Sequence, residues 1–373
     1  MKTLKRILAA TTLLVTLGFA SEANAQVPLE NFFKNPEKAG YQISPDGKYF
    51  SYMAPYENRL NLFVQEVGSD KATRITSETV RDLAGSMWAN GHRILYIKDT
   101  AGDENFQLYG VNVDGTDSKA YTAFPKVRTT IIDPLENIDS LVIIGLNKRN
   151  PQVFDPYRLN LNNGELTQLA ENPGNIQGWM TDHNGKLRVA LAIVDGVNTQ
   201  ILYRETEEQP FRPVLTTNFK ETVSFATFTP DNKMVYALTN IGRDKTALVL
   251  MDPATCEEKE VLYTNDKYDI SGLGYSELKK KLISVSCTGH KGTIRHYFDK
   301  NEEAIRTKLE QKLEGYDINT TSEDKSENIR IIYAGGDRTY GTYYTYNVKE
   351  DKLTKIADLA PWIKEEDMVP MHP

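Results

Sequence analysis

Along the chain, short runs of aromatic and β-branched residues follow polar turns at a nearly fixed interval. Ser44-Pro45-Asp46-Gly47 has Ser first, Pro second and Gly fourth, which suits a type I turn, and Lys48 to Met53 follows as a strand. The same pairing recurs at Asn90-Gly91 before His92 to Ile97, at Glu136-Asn137 before Asp139 to Ile144, and at Asn184-Gly185 before Lys186 to Ile193. It continues at Asp231-Asn232 before Lys233 to Leu238, at Lys281 to Ser286, and at Ile329 to Tyr333 after Ser326-Glu327-Asn328. The spacing is roughly 47 residues, in the range of a propeller repeat.

Each repeat carries further strands joined by Gly, Asn and Asp turns, a hairpin signal. Leu62 to Val67 leads through Gly68-Ser69-Asp70 to Ala72 to Ile75, and Tyr157 to Leu161 through Asn162-Asn163-Gly164 to Leu166 to Leu169. Tyr343 to Val348 leads through Glu350-Asp351 to Leu353 to Ile356. Three to four strands in a repeat of this length describe a propeller blade. The pattern therefore predicts an all-β fold, a seven-bladed β-propeller of four-stranded sheets. One stretch departs from it. Between Phe298 and Asn319 the apolar period becomes helical, with Ile305, Leu309 and Leu313 on one face, Glu302 and Glu303 in the first turn and Gly315 past the end. This is a helical insertion in the sixth blade, expected to rest on that blade.

The ends of the chain set its compartment and layout. Lys2, Lys5 and Arg6 precede an apolar run from Ile7 to Phe19, and Ala23-Asn24-Ala25 offers a signal-peptidase site. Residues 1–25 thus read as a signal peptide and the protein as periplasmic or secreted. The run is shorter than the ~20 residues of a membrane span. Residues 26–40 form an N-terminal segment, 41–361 the propeller, and 362–373 the start of a linker toward a domain expected beyond it. Leu29, Phe32 and Phe33 make an apolar helical face before the first blade. Trp362, Ile363 and Met368 make an apolar tail after the last. These either pack on a neighbouring domain or fold back on the propeller.

A net charge of −7 discourages nucleic acid as a partner. Two cysteines, Cys256 and Cys287, supply no disulfide framework, although export permits them to pair. His290 and His296 stand an even number apart on one strand, but nothing else supplies metal-ligand spacing, so no metal or cofactor is expected. The sequence has no Gly-x-Ser-x-Gly, Walker loop, Gly-x-Gly-x-x-Gly or His-Glu-x-x-His. Gly272-Leu273-Gly274 reads as a strand with close neighbours rather than a nucleotide loop.

Val27-Pro28-Leu29-Glu30-Asn31-Phe32-Phe33-Lys34-Asn35-Pro36 followed by Ile43-Ser44-Pro45-Asp46-Gly47-Lys48-Tyr49 resembles the opening of exported prolyl-oligopeptidase-family serine peptidases. The likeness is to the acylaminoacyl-peptidase and dipeptidyl-aminopeptidase branch. Phe154 to Leu159 and Asn240 to Thr246 resemble propeller segments of the same proteins. The resemblance implies a non-catalytic propeller that gates short peptides toward an α/β-hydrolase domain carrying a Ser, Asp and His triad. No triad residue has a position here to be carried onto, so the chain alone is expected to lack peptidase activity. Truncation, frameshift or a split gene would have separated this propeller from its hydrolase, which is expected as a domain or as a separate polypeptide. Arg149, Asn150, Arg243 and Asp244 lie between strands, as channel or rim contacts or as solvated loop charge. The readings that remain are a free-standing exported propeller of the Tol or WD-repeat kind, binding a protein or ligand, and a decayed product without function.

Overall fold

The computed structural model describes residues 27–290 and 292–372. The expected signal peptide lies outside them. Seven antiparallel sheets follow one another in chain order, each running strand to strand in sequence. The predicted turn-and-strand pairs are the junctions of first and second strands. Gly47 N–H donates to the Ser44 carbonyl at 2.8 Å, closing the expected turn, with Gly47 at φ +74°. The strand after it runs Tyr49–Tyr56, and its counterparts in the other blades include Arg93–Lys98, Leu141–Asn150 and Leu187–Val194.

The first strands are innermost. Gln42 in the first strand of blade 1 donates to the Ser86 carbonyl of blade 2 at 2.8 Å, and Ile43 N–H donates to Ser322 Oγ of blade 7 at 3.1 Å. Outermost strands, such as Ala72–Arg74, are short and exposed. Middle strands are covered on both faces by the neighbouring blades and so read as continuous apolar runs rather than alternating ones. Val142 to Leu146 and Ile331 to Ala334 show this.

The core is accordingly a set of layers between blades. Leu95, Leu108 and Tyr121 of blade 2 meet Val142, Ile144 and Leu159 of blade 3. Ile201 and Tyr203 of blade 4 meet Phe228, Val235 and Val249 of blade 5. At the seam where the ring closes, Ile331 of blade 7 is buried among Tyr41, Ile43, Phe50 and Tyr52 of blade 1.

The sixth blade corrects the sequence expectation. It has three strands, Ile270–Ser276, Lys281–Gly289 and Gly292–Tyr297, and the fourth is replaced by a helix. Two α-helices are described, α1 (Leu29–Phe33) and α2 (Lys300–Lys312), besides a short 3-10 turn at Glu365–Asp367. Instead of resting on its own blade, α2 packs Leu309, with Leu313 just past its end, against Ile318, Ile332 and Tyr346 of blade 7. Blade 6 holds only the helix start, through Lys279 on Glu302 and Lys281 on Asp299. Asp299 caps its N-terminus by accepting from the Asn301 and Glu302 N–H groups. Glu302 is buried and receives Arg330 in a bidentate pair, 2.7 and 3.0 Å, and Lys279 at 2.7 Å.

Cys256 and Cys287 are both free thiols. Burial and the Asp252 carboxylate push Cys256 up to about 11. Gly272 and Gly274 lie within a strand, where an added Cβ would come within 2.9 Å of Ser286 Oγ and 2.7 Å of Ser284 Oγ.

Ile331→Ala removes the fully buried centre of the seam and should cost about 2–5 kcal/mol in denaturant unfolding with the far-UV spectrum unchanged. Asp299→Ala should cost about 1 kcal/mol, the usual worth of a helix N-cap. The Lys281 ammonium and the two backbone donors hold the Asp299 carboxyl down to about 2, against an ordinary 3.8. A depressed carboxyl contributes stability above its unfolded pKa and loses it as the acid protonates. The penalty of Asp299→Ala should therefore be full above about pH 4 and shrink as pH falls toward 2, measured by urea unfolding across that window.

Candidate functional site

Because each blade is an antiparallel meander, the ring has two distinct ends. Turns between first and second strands gather at one end, the far end. Turns between second and third strands gather at the other, together with the start of the first blade and the end of the last. Tyr340, beside such a turn in blade 7, donates to the Phe32 carbonyl at 2.7 Å, which places the N-terminal segment at this terminal end.

At the far end the turns are latched to their neighbours. Asp46 of blade 1 abuts Gly91 of blade 2, whose added Cβ would lie 3.1 Å from it. Asn90 donates to the Asp139 carbonyl of blade 3 at 3.2 Å. Leu135 and Ile138 of blade 3 crowd Gly185 of blade 4. His183 N–H donates to Asn232 Oδ1 of blade 5 at 3.0 Å. Tyr236 of blade 5 tilts against Tyr275 of blade 6, Ser276 donates to Glu327 of blade 7, and Lys325 N–H donates to the Pro45 carbonyl of blade 1 at 2.9 Å.

The third-blade turn does more than touch its neighbours. Asn137 Nδ2 donates to Glu277 Oε2 of blade 6 at 3.0 Å, and Lys325 Nζ of blade 7 pairs with Asp139 at 2.8 Å. Blades 6 and 7 lie across a seven-membered ring from blade 3, so these contacts span the axis. They form a crossbar over the far mouth. His183 of blade 4 steadies its anchor, with Nδ1 3.5 Å from Glu277 Oε1 and its ring stacked on Tyr275.

The crossbar divides the mouth into two cavities that share Pro134, Glu136, Asn137 and Glu277. One, about 480 Å³, is bounded by blades 3, 4 and 5; the other, about 840 Å³, by blades 1, 2, 6 and 7. The larger is lined by Glu136, Glu277, Glu302, Glu323, Asp324 and Glu327 against Lys325 and Arg330. Its field is negative. Glu136 and Glu323 are solvent-exposed but crowded inside the mouth, and this partial loss of hydration pushes both carboxyls up; Glu277 and Asp133 add to it for Glu136, and Glu327, Glu302 and Asp324 for Glu323. Six carboxylates thus face two cations in the larger cavity, and the crossbar lies across the axis at this end.

The four residues singled out from sequence lie at the terminal end instead. Arg149 is bound by its own blade, at 2.9 Å to Asp155 and 3.4 Å to Glu171. Asn150 is exposed and accepts from Gln152 N–H. Arg243 pairs with Glu258 at 2.5 Å, and Asp244 is solvated. His290 and His296 have separate neighbours: His296 stacks on Tyr263 at 4.5 Å, and His290 meets Tyr268 edge-on. Among the described residues no group of three or more His, Cys, Asp or Glu side chains has the geometry to hold a metal.

The chain ends also meet at the terminal end. Trp362 Nε1 donates to the Asn31 carbonyl at 2.9 Å and Lys34 sits 4.1 Å over its ring. Ile363 is buried, while Leu29, Phe33, Val369 and Met371 are exposed, at 69 to 79%. Thus the tail folds back in part and leaves an apolar patch. No helix among the described residues is long and apolar enough to cross a membrane.

Raising a carboxyl pKa in the fold makes its ionisation unfavourable to folding, a cost present above the folded value and absent below the unfolded one. Glu136→Gln should therefore raise the denaturation midpoint at pH 7 and leave it unchanged near pH 3. The gain should stay under about 1 kcal/mol, because water in the channel screens the charge.

No family model matches the chain. It is 28% identical over 353 residues to a dipeptidyl aminopeptidase BIII of Pseudoxanthomonas mexicana, covering 91% of this chain and 50% of that protein. It is 26% identical over 355 residues to a dipeptidyl peptidase family member 6 of Caenorhabditis elegans, covering 89% and 47%. The chain thus spans about half the length of the curated relatives it matches. A prolyl endopeptidase structure superposes with a TM-score of 0.60 at 12% identity, over 94% of this chain and 55% of that one. TolB of Acinetobacter baumannii, at a TM-score of 0.36, is too distant to bear on the fold. In sequence and in fold, this chain resembles the β-propeller portion of the dipeptidyl-aminopeptidase branch of the prolyl oligopeptidase family.

Proposed function

We propose that this chain is the substrate-gating, non-catalytic propeller of an exported prolyl-oligopeptidase-family serine peptidase. Its partner is an α/β-hydrolase, carried on the same longer protein or on a separate polypeptide, and the substrates are short peptides. The observation that carries this reading is the extent of the likeness: nine-tenths of the chain aligns with about half of a dipeptidyl aminopeptidase. In physical terms the two ends divide the work. The exposed Leu29 and Phe33 at the terminal end form an apolar surface of the kind that marks a docking site. Asn150 and Asp244 stand at the same end and are the polar contacts we assign to the approaching peptide or hydrolase.

Gating follows from the crossbar. With the far mouth bridged from blade 3 to blades 6 and 7, peptides reach the hydrolase from the side where the two domains meet. The propeller then selects by excluding bulk rather than by threading substrate through its bore.

Acyl transfer needs a nucleophile, a base and oxyanion donors held in register, none of which this chain supplies by motif. The purified chain should show no turnover of dipeptidyl or prolyl peptide substrates, and adding a hydrolase domain of the family should give turnover with a preference for short peptides. Activity of the chain alone, co-purifying through several columns and blocked by a serine-directed inhibitor, would overturn the reading. A hydrolase that neither binds the chain nor changes its size selectivity would favour a free-standing binding propeller.

A further inference from the structure

At the anchor of the crossbar, the ring of His183 is held between two oxygens. Its Nε2 lies 2.9 Å from the Phe228 carbonyl of blade 5, and its Nδ1 lies 3.5 Å from Glu277 Oε1 of blade 6. A carbonyl and a carboxylate only accept. A neutral imidazole carries one N–H, so in either tautomer one ring nitrogen turns a lone pair on an oxygen. Only the imidazolium, a donor at both nitrogens, suits both partners. Stacking on Tyr275 at 5.5 Å and the bond from the His183 N–H to Asn232 at 3.0 Å hold the ring in this place. On the neutral ring the proton stays on Nε2, which faces the nearer oxygen, so the second proton arrives at Nδ1, against Glu277.

The surroundings favour that charge. Among the described residues, the walls of the smaller cavity carry Asp133, Glu136, Asp182 and Glu277 and no lysine or arginine. In its own blade, Asp182 pairs with Arg188 at 3.1 Å. Blade 5 presents the Phe228 carbonyl and the Asn232 amide, with Asp231 turned to Thr229 and Lys233. The nearest cation of blade 7, Lys325, is occupied by Asp139. Blade 6 adds Tyr275, whose hydroxyl is pushed up to about 12 by burial and by Glu277 and so stays neutral. Histidine is the side chain that ordinarily changes charge between roughly pH 5 and 8. Beside the bar, the raised carboxyl of Glu136 is the one other group to control for.

Glu277 passes the effect to the bar. Its second oxygen, Oε2, accepts from Asn137 Nδ2 at 3.0 Å, while the other bond of the crossbar, Lys325 to Asp139, is an exposed ion pair of the weak kind. We propose that His183 is a proton-operated latch on the crossbar: the imidazolium holds Glu277 where it accepts Asn137 and keeps the far mouth barred, and the neutral ring releases Glu277, so that the bar loosens and the two cavities join. Acid closes the mouth and alkali opens it. One proton moves between solvent and Nδ1, and no covalent bond to carbon changes. The latch rests on the crossbar and not on a hydrolase partner, so this chain alone tests it and its failure leaves the peptidase reading in place.

Hydrogen exchange of the full chain, followed by mass spectrometry over residues 134–139, reads the bar, because Ile138 N–H donates within that turn to the Leu135 carbonyl at 2.7 Å. After correction for the intrinsic effect of pH, protection of the turn should be about two- to fivefold higher at about pH 5.5 than at about pH 8, the worth of one partly exposed ion pair. The strand Leu141–Asn150 should show no such ratio and serves as the internal reference. Glu277→Gln keeps an acceptor for Asn137 but removes the charge, and His183→Gln keeps a donor for Phe228; in both the pH dependence should vanish. Glu136→Gln should keep most of it. Should His183→Gln lose its fold by circular dichroism, Glu277→Gln decides alone. Equal protection of the unsubstituted turn at the two pH values overturns the proposal, as does a pH dependence that persists in Glu277→Gln or is lost in Glu136→Gln.

Discussion

A ring of sheets stands or falls on its closure, because the last blade must meet the first with no strand shared between them. Here every strand of blade 7 comes from residues 317–358, and blade 1 is built from residues 39–74. The seam therefore rests on side chains. Tyr41 stacks on Tyr52 at 4.7 Å and tilts against Tyr343 at 5.4 Å, with Ile331 filling the space beneath. At the far end the Lys325 to Pro45 bond fastens the same two blades, and at the terminal end the contacts of Trp362 with Asn31 and Lys34 do so. A seam pinned at core and both ends lets the other six interfaces keep their geometry.

That closure explains why the two ends differ. First-to-second-strand turns converge on the axis, so a long turn there can reach the opposite wall. The third-blade turn does, helped by Leu135 in a left-handed conformation at φ +52°, and it meets Glu277 and Lys325. The terminal end has no equivalent bridge among the residues described, and there Arg149 and Arg243 pair with Asp155, Glu171 and Glu258 of their own blades. The field of the far cavity follows from the same convergence. Several acidic turns brought to one mouth raise each other's pKa, with Lys325 and Arg330 offsetting only part of the charge.

How much of this could be read from the sequence depended on the range of the interaction. The starts of the second strands were legible within a residue or two, because the turn before each is set by local chemistry: Asp46 and Gly47, Asn90 and Gly91, Asn184 and Gly185; their ends, which depend on how far the neighbouring strands run, were read short by up to six residues in blade 3. The helix was legible too, from Glu302, Leu309 and Gly315. Its partner was not, since Leu309 and Leu313 look the same whether they cover blade 6 or blade 7. Nor was the crossbar, whose members stand 140 and 186 residues apart and carry no local signature. Asn137 could be read only as a turn residue, and its reach to Glu277 exists only once the ring has closed. The carboxylate partners of Arg149 and Arg243 were not legible for a related reason: a loop arginine and its partner are brought together by blade geometry.

The missing strand of blade 6 is tied to the helix by a physical trade. A fourth strand would have supplied apolar residues to the layer against blade 7, and Leu309, Leu313 and Ile305 supply them instead. Replacing a strand by a helix keeps the layer filled but leaves the third strand's outer hydrogen-bonding groups without a partner. The buried Glu302 fixes this arrangement in place. Burial alone would push its carboxyl up, but the Arg330 and Lys279 donors outweigh it and hold it below the usual carboxylate range, so the residue stays ionised. Breaking such a pair strands a buried charge at a cost of about 3–5 kcal/mol, a stronger restraint on position than an exposed ion pair offers. Since Lys279 belongs to blade 6 and Arg330 to blade 7, Glu302 locks the helix start between them. The start of the helix is thus fixed where blades 6 and 7 meet, and with it the place of the helix after the third strand.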